Sequence, residues 1–407
     1  MRLKSNASPQ LCAYEECTAC TACFNICPQQ AIAMTEGTLG ELHPLIDMDK
    51  CIRCHLCEKV CPELESNSLS RNDSPEVYYC WLKDSLHRRE STSGGAAFAI
   101  SQAIIHKGGH VWGAAYDENL IVRYTEANTI EELAPLQKSK YIQSCVGSSF
   151  KEIKKELDQG DYVLFTGTSC HVKGLRSFLH KDYDNLFTID LICHGVPGHG
   201  VFQKYKRWIE KKYNDRMVNY VPRYKNKSGI EVSYYAMVTF ENKGEQKMVM
   251  KDNAYLTGFE NSLFLRDSCH HCTSNGKNRY SDFTIGDFWG LGKLASFTQN
   301  TEKPRGISML ALNTIKAKKL MESMQDSIIF EKRSYAEASL TNTPYYKSAI
   351  PSKDREEFKK EWMQLSWGQI ADKYCRYSGK EMLFYVVKRL IPPTILIRIK
   401  SILGQIK

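Results

Sequence analysis

No uncharged apolar run in this 407-residue chain approaches the roughly 18 residues that a bilayer-spanning helix requires. The longest run near the end, Leu390 to Ile397, is bounded by Arg389 and Arg398 and broken by Pro392 and Pro393. The opening decapeptide, MRLKSNASPQ, lacks the apolar core of a secretion signal, so a cytoplasmic, reducing compartment is expected. No nucleic-acid-binding motif accompanies the net charge of +9, whose lysines and arginines are spread along the chain as a solvated surface, so no nucleic-acid partner is expected. Apolar residues make up 42% and charged residues 25%, which places the chain among soluble globular proteins of roughly two to four domains. Cysteine, at 16 residues, is the excess. Without export a disulfide framework is not expected, and clustered thiols read as metal ligands.

Twelve-residue stretches beginning at Cys17 (CTACTACFNICP) and Cys51 (CIRCHLCEKVCP) each read C-x2-C-x2-C-x3-C-P. In two-cluster ferredoxins the first three thiolates of such a run hold one cubane and the fourth crosses to the other. One set is therefore Cys17, Cys20, Cys23 and Cys61; the other is Cys51, Cys54, Cys57 and Cys27. Pro28 and Pro62 turn the chain away after the fourth ligand. Two zinc knuckles are the alternative, but zinc sites draw on two separated pairs rather than four close thiolates followed by proline. Cys12 lies outside the repeat and reads as a bystander. The module, residues 1–64, is a one-electron wire that chooses no substrate. A polar linker, 65–75, suggests that it folds apart from the rest of the chain.

Beyond the linker, EVYYCWLKD and HVWGAAYD read as strands, and Ala96 to His106 as an Ala/Ile-rich helix. The turn before that helix, Ser91-Thr92-Ser93-Gly94-Gly95, could present backbone amides to a phosphate; a plain turn and cap would look the same. DYVLFTGTSC and LFTIDLICHGVPG are buried strands separated by a helix, HVKGLRSFLH. Strand, helix, strand implies a parallel βαβ unit, with both strands ending on the rim where α/β sheets bind ligands. Cys170 and Cys193 sit just past those ends. Together with the isolated pair in SCHHC, Cys269 and Cys272, they make four thiolates, enough for a third iron–sulfur cluster. Zinc is the second reading of this set and a redox dithiol at Cys269/Cys272 the third. His171, His194, His270 and His271 near by read as hydrogen-bonding partners. Asp287, in FTIGDFWG, could accept a hydrogen bond from a flavin or sugar hydroxyl, or be an ordinary turn residue.

The blocks STSGGAAFAI, SKYIQS, FTGTSCHVKGLRSFL, DLICHGVP, RDSCHHC and DFTIGDFWG, in this order over residues 76 to 310, resemble the beta-subunit family of coenzyme F-420 hydrogenase/dehydrogenase, with a bacterial-type ferredoxin fused in front. The resemblance implies an FAD-containing α/β domain with its own 4Fe–4S cluster, hence three cubanes per chain. It makes the Ser91–Gly95 turn an FAD phosphate contact, and Lys140 and Tyr141 a further part of the flavin site. Where the family commonly reads G-T-P-C-Q, this chain has Gly167-Thr168-Ser169-Cys170-His171. The thiol is kept; the flavin surroundings and substrate preference are put in doubt.

The expectation is an α/β (α+β) multidomain oxidoreductase: 1–64 the dicluster domain, 65–75 the linker, 76–150 and 151–340 two parts of the flavin domain, and 341–407 a helical basic extension. A flavin can exchange hydride with a carrier such as the deazaflavin, and single electrons with clusters and ferredoxin. A non-catalytic electron-transfer subunit, a ferredoxin-dependent reductase of another organic substrate and a structural zinc protein are the competing readings. The basic, apolar tail suits an interfacial membrane helix or packing on the protein's own surface. Cys80, Cys145 and Cys375 receive no role.

Overall fold

A computed structural model describes residues 7–64, 75–232, 236–292, 295–299, 301–340 and 342–375. The expected linker, apart from Pro75, and the proposed membrane-binding tail lie outside the described residues.

The N-terminal module pairs β1 (Ile32–Glu36) antiparallel with β2 (Leu42–Ile46) and carries two short helices, α1 (Ala22–Ile26) and α2 (Leu56–Lys59). The sequence repeat is also a backbone repeat. Ala19 and Arg53 have φ 52°, and Thr21 and His55 have φ 63° and 58°. Side-chain-bearing residues seldom adopt this left-handed region, and a β-branched threonine least of all. Both motifs thus bend identically around their second cysteine.

The main domain is built on a mixed eight-stranded sheet. Its strands are β3 (Glu76–Leu82), β4 (His110–Tyr116), β5 (Val122–Ala127), β6 (Val163–Thr168), β7 (Leu186–Leu191), β13 (Phe283–Asp287), β14 (Ser308–Leu312) and β15 (Ile328–Arg333), in the order β15-β3-β14-β13-β7-β6-β4-β5. The four central strands, β13, β7, β6 and β4, are parallel, and the flanking pairings are antiparallel. β6 and β7 are apolar and buried along most of their length, as expected of strands covered on both faces. Covering helices are α3 (Ser85–Glu90), α4 (Ala96–Ile105), α5 (Ser149–Gln159), α6 (Ser169–Leu179) and α9 (Ile315–Glu322). The expected βαβ unit is β6-α6-β7. The strand expected over EVYYCWLKD is β3, but it pairs with β14 and β15, more than 200 residues away, so the beginning and end of the domain share one sheet.

A second layer contains α7 (His199–Tyr213), β8 (Met217–Val221), β9 (Tyr224–Lys225), β10 (Glu231–Val232), β11 (Ala236–Phe240), β12 (Gly244–Met248), α8 (Ala254–Glu260), α11 (Arg355–Glu361) and α12 (Trp367–Tyr374), while α10 (Tyr335–Ser339) packs on β3 of the main sheet. Phe202, Tyr205, Tyr220, Tyr255, Phe264 and Trp367 pack together in one aromatic core. The helical extension expected after residue 341 is, in its described part, a wall of this core, with Phe358, Trp362 and Ile370 buried in it.

The two modules are not separate in space. Cys20, Ala22 and Val60 of the first share an apolar cluster with Phe150, Val172 and Phe178 of the second. Asn25 donates to the Gly147 carbonyl at 2.9 Å and Ser177 to that of Val60 at 2.8 Å. Lys173 and Glu63 form an ion pair at 3.0 Å, each side chain only 6% exposed. At Gly40 (φ 72°) the backbones meet: a Cβ there would lie 2.2 Å from the amide nitrogen of Gly200, in the first turn of α7. The polar linker thus joins two surfaces that meet along a buried seam, which its composition does not reveal.

Candidate functional site

Eight thiols of the first module fall into the two crossed sets. Cys17, Cys20, Cys23 and Cys61 line one cavity with Met34, Pro44 and Pro62. Cys27, Cys51, Cys54 and Cys57 line another with Ile32, Ile46 and Ile52. The first set is buried. In the second, Cys27, Cys51 and Cys54 are partly exposed, with Ile52 and Met48 open to solvent beside them. Burial pushes the Cys20 thiol up to about 12 and Cys57 to about 11. Thiols so placed ionise only beside a cationic centre, and four of them around one cavity suit a cubane, so the donor sets fit the clusters their spacing implies.

Cys12, expected as a bystander, stands beside Cys17 and Cys61; its hydrogen bonds to them hold its own thiol protonated and favour the thiolate at both. It lines the first cavity as a fifth thiol. Five residues upstream of the motif, it carries no spacing signal that sequence could have used.

In the main domain the four remaining candidates converge. Cys170 lies in the first turn of α6, within a hydrogen bond of Thr168 at 3.2 Å; Cys193 follows β7; Cys269 and Cys272 come from the 3₁₀ turn Asp267–His271 and the residue after it. The segments are zipped together by a bridge between Pro197 and Leu265 and by the Arg266 amide on the Val196 carbonyl at 2.8 Å. Asp267 is anchored by Arg355 at 2.6 Å and Lys359 at 2.7 Å, so α11 holds the turn in place. Burial drives Cys193 up to about 12 and Cys269 to about 11, and each thiol is pushed further by its neighbours in the set. Cys170 is raised by burial and then by Cys272, Cys193 and Cys269. Mutual destabilisation of four thiolates at one point is relieved by a shared cationic core, and this donor set fits a cubane too. The histidines have other partners: His171 the Tyr124 hydroxyl at 3.1 Å, His194 that of Ser262 at 3.1 Å, His270 the Ala349 carbonyl at 2.9 Å.

The first and third sets are neighbours. Gly174, one turn after Cys170 on α6, lies against Cys20: a Cβ at 174 would stand 2.5 Å from the Cys20 Cβ and 2.9 Å from its Sγ.

The candidate flavin residues sit in two loops that touch, for the Ser139 amide donates to Thr92 Oγ1 at 2.8 Å. Ser91 donates to the His87 carbonyl, and the Gly94 amide donates to Ser308 Oγ at 3.0 Å. A Cβ at Gly94 would lie 2.4 Å from the Cys80 carbonyl oxygen, and Gly95 (φ 95°) closes the turn. The glycines thus bring the turn against its own sheet. What remains for a ligand is the buried Ser93 hydroxyl, which has no partner, and the equally orphaned Gln137 amide nitrogen and Tyr116 hydroxyl. Lys140 points its ammonium at the carbonyls of Pro135, Gln137 and Lys138, and burial pushes it down to about 7. Tyr141 stacks on Phe259 at 4.4 Å. Both oxygens of Asp287 are held by Arg223, and its carbonyl by Asn342. Unpartnered buried groups at Ser93, Gln137 and Tyr116 fit a polar cofactor, while the Gly94 amide and Asp287 carboxylate are already taken.

A further pair went unforeseen: Cys145 Sγ lies 3.2 Å from His199 Nε2. Burial raises the thiol and lowers the imidazole to about 4, so both are held neutral.

Residues 160–338 match the family model that describes the C terminus of the beta subunit of coenzyme F420 hydrogenase/dehydrogenase, and residues 16–63 match the 4Fe–4S dicluster domain. A chain of the F420-reducing NiFe hydrogenase complex from Methanosarcina barkeri is similar at 15% identity and a TM-score of 0.42, covering 75% of this chain and 93% of that one. No curated protein sequence matches the chain. The resemblance to the beta-subunit family with a ferredoxin domain in front is thus found over these two regions, and the dicluster match supports iron–sulfur electron transfer. Among the described residues, no helix is long and apolar enough to cross a membrane.

Proposed function

We propose that the chain is an iron–sulfur flavoprotein oxidoreductase with three 4Fe–4S clusters, joining a hydride carrier or organic substrate of the deazaflavin kind to one-electron carriers such as ferredoxin. The observation that carries this reading is the convergence of Cys170, Cys193, Cys269 and Cys272 from three segments, on a helix that also touches Cys20. The first cluster belongs to Cys17, Cys20, Cys23 and Cys61, the second to Cys27, Cys51, Cys54 and Cys57, and the third to the core set. Cubanes at these positions supply one-electron exchange, and FAD, when bound, supplies the conversion between paired and single electrons.

The chain's own residues do the rest. Ser93, Gln137 and Tyr116 offer hydrogen bonds to a polar cofactor, Lys140 places a proton-bearing group in the same loop pair, and the buried seam covers Cys20 of the first set. Anaerobic iron analysis tests the reading: about twelve irons per chain, three cubanes of four, are expected, and eight irons with bound zinc refute the third cluster. The substrate is approached by asking which of reduced deazaflavin, NAD(P)H or ferredoxin bleaches a bound flavin.

A second reading, an electron-transfer subunit without its own flavin, is favoured by the internal use of the Gly94 amide and of Asp287. Protein that carries all its iron but no FAD after purification decides for it.

A further inference from the structure

Arg266 is buried, 3% exposed, and lies between two of the thiol sets. Its Nε donates to the Cys17 carbonyl at 2.6 Å and one terminal nitrogen to the Leu42 carbonyl at 2.7 Å. The other terminal nitrogen lies 3.2 Å from the His43 ring, which Tyr14 stacks against at 3.6 Å. Three residues on, the Cys269 amide donates to the Arg266 carbonyl at 3.0 Å, so the residue bearing this charge also shapes the turn of the core set. Glu41 approaches the same His43 Nε2 at 3.8 Å without a direct bond to the guanidinium, and is engaged by the Leu39 amide and the Tyr14 hydroxyl. The partners of the guanidinium are therefore uncharged carbonyls and an imidazole.

A buried guanidinium without a carboxylate costs several kcal/mol of lost hydration unless an anion compensates it. A cubane held by four thiolates is a net anion and becomes more so on reduction. We infer that Arg266 is the shared countercharge of the first ferredoxin cluster and the core cluster: a positioning residue that docks one module on the other and raises the potentials of both clusters together. A fixed positive charge stabilises the reduced state more than the oxidised one, and neighbouring charge and hydrogen bonds are among the levers that set cluster potentials. Among the described residues none of the buried arginines bonds to the second set, whose Cys27, Cys51 and Cys54 are partly exposed, so the second cluster lies outside the pair. The inference rests on the third cluster proposed above, and goes beyond it by ordering the chain: second cluster outermost, first cluster and core cluster matched.

The test is an EPR-monitored reductive titration with dithionite on the anaerobic full-length chain. Signals are assigned beforehand with Cys54→Ser for the second cluster and Cys269→Ser for the core. Arg266→Gln removes the charge; Arg266→Lys keeps it and loses the planar fork. Expected is a shift of at least tenfold toward the oxidised state for both the first and core clusters in Arg266→Gln, about 59 mV for one electron. In Arg266→Lys both shifts stay below tenfold, and the second cluster moves in neither variant. A shift at only one of the two clusters, at all three, or at none in Arg266→Gln overturns the inference. If Arg266→Gln does not retain its clusters, Arg266→Lys decides alone: tenfold or larger shifts there overturn it. A wild-type chain with eight irons refutes the third cluster itself and is read before any variant is made.

Discussion

Gly174→Ala isolates the contact on which the continuity of the clusters depends. Gly174 lies inside α6, in ordinary helical conformation, so alanine brings no backbone strain; alone, the exchange stabilises a helix by about 1 kcal/mol. The added methyl would stand 2.5 Å from the Cys20 Cβ, where carbon atoms prefer about 3.5 Å or more, so the surfaces must part by roughly 1 Å. Rotation of the Cys20 side chain gives no relief, because the close contact is with its Cβ. Overpacking of this kind costs about 1–3 kcal/mol, so the net effect is a docking interface weaker by up to about 2 kcal/mol, opposite in sign to the helix effect. The assay is thermal melting of anaerobic protein together with EPR of the reduced clusters. The expected result is a lower apparent midpoint and a weakened magnetic interaction between the first and core clusters, with the second cluster unchanged. A higher midpoint with unaltered interaction would mean that Cys20 does not rest on Gly174, and the path drawn from one module to the other would fail.

Lys173→Met leaves Glu63 buried at the seam with only the Thr273 hydroxyl, at 2.8 Å, to hold it; breaking a buried pair costs about 3–5 kcal/mol, so chemical denaturation should release the first module well before the rest. Lys140 has a folded pKa of about 7 against 10.5 when unfolded, lowered by burial and then by Lys138. Between these values the unfolded chain binds the extra proton, so stability rises as pH rises from about 7 toward 10.5, and Lys140→Met should flatten the urea midpoint measured across that window. Replacing the partnerless Ser93 with alanine is neutral or stabilising if no ligand uses the hydroxyl. Loss of FAD with iron content unchanged is the expected outcome, and full FAD content would place the flavin elsewhere. Glycine 94 is a poor probe of the same question, since any side chain there strikes the Cys80 carbonyl.

What was legible in the sequence was whatever local spacing dictates. The two ferredoxin runs foretold the two crossed sets of thiols that line the two cavities, because three thiolates within seven residues can reach one cubane and the fourth cannot. Cys170 and Cys193 were legible because apolar β-branched runs ending in small polar residues mark parallel strands, and such strands end on one rim. The partners of β3 were not, since its antiparallel pairing with β14 and β15 is set by sheet closure across most of the chain. Cys12 was passed over because its proximity to Cys17 and Cys61 depends on the loop before the motif. Arg266 stands next to SCHHC in plain view, yet its meaning comes from Cys17, Leu42 and His43, some 220 to 250 residues away. The flavin turn was placed by resemblance, and its glycines turn out to serve the packing of the turn on its own sheet as well.

The glycine seam bears on how such a fusion can be taken apart. With Gly40 against Gly200, and Gly198 a hypothetical Cβ at 2.5 Å from the Glu41 amide, the two surfaces have been fitted to each other without a side chain between them. A ferredoxin borrowed from another protein, however similar its cluster motifs, would bring side chains to those positions and could not be grafted in its place. Cutting the chain at residue 64 would likewise strip a layer rather than remove a passenger, baring Phe150, Val172, Phe178 and an unaccompanied arginine to water. The fused module is left open to solvent on the side of Cys51 and Cys54, and under the proposed function that is the side where a free carrier would exchange electrons.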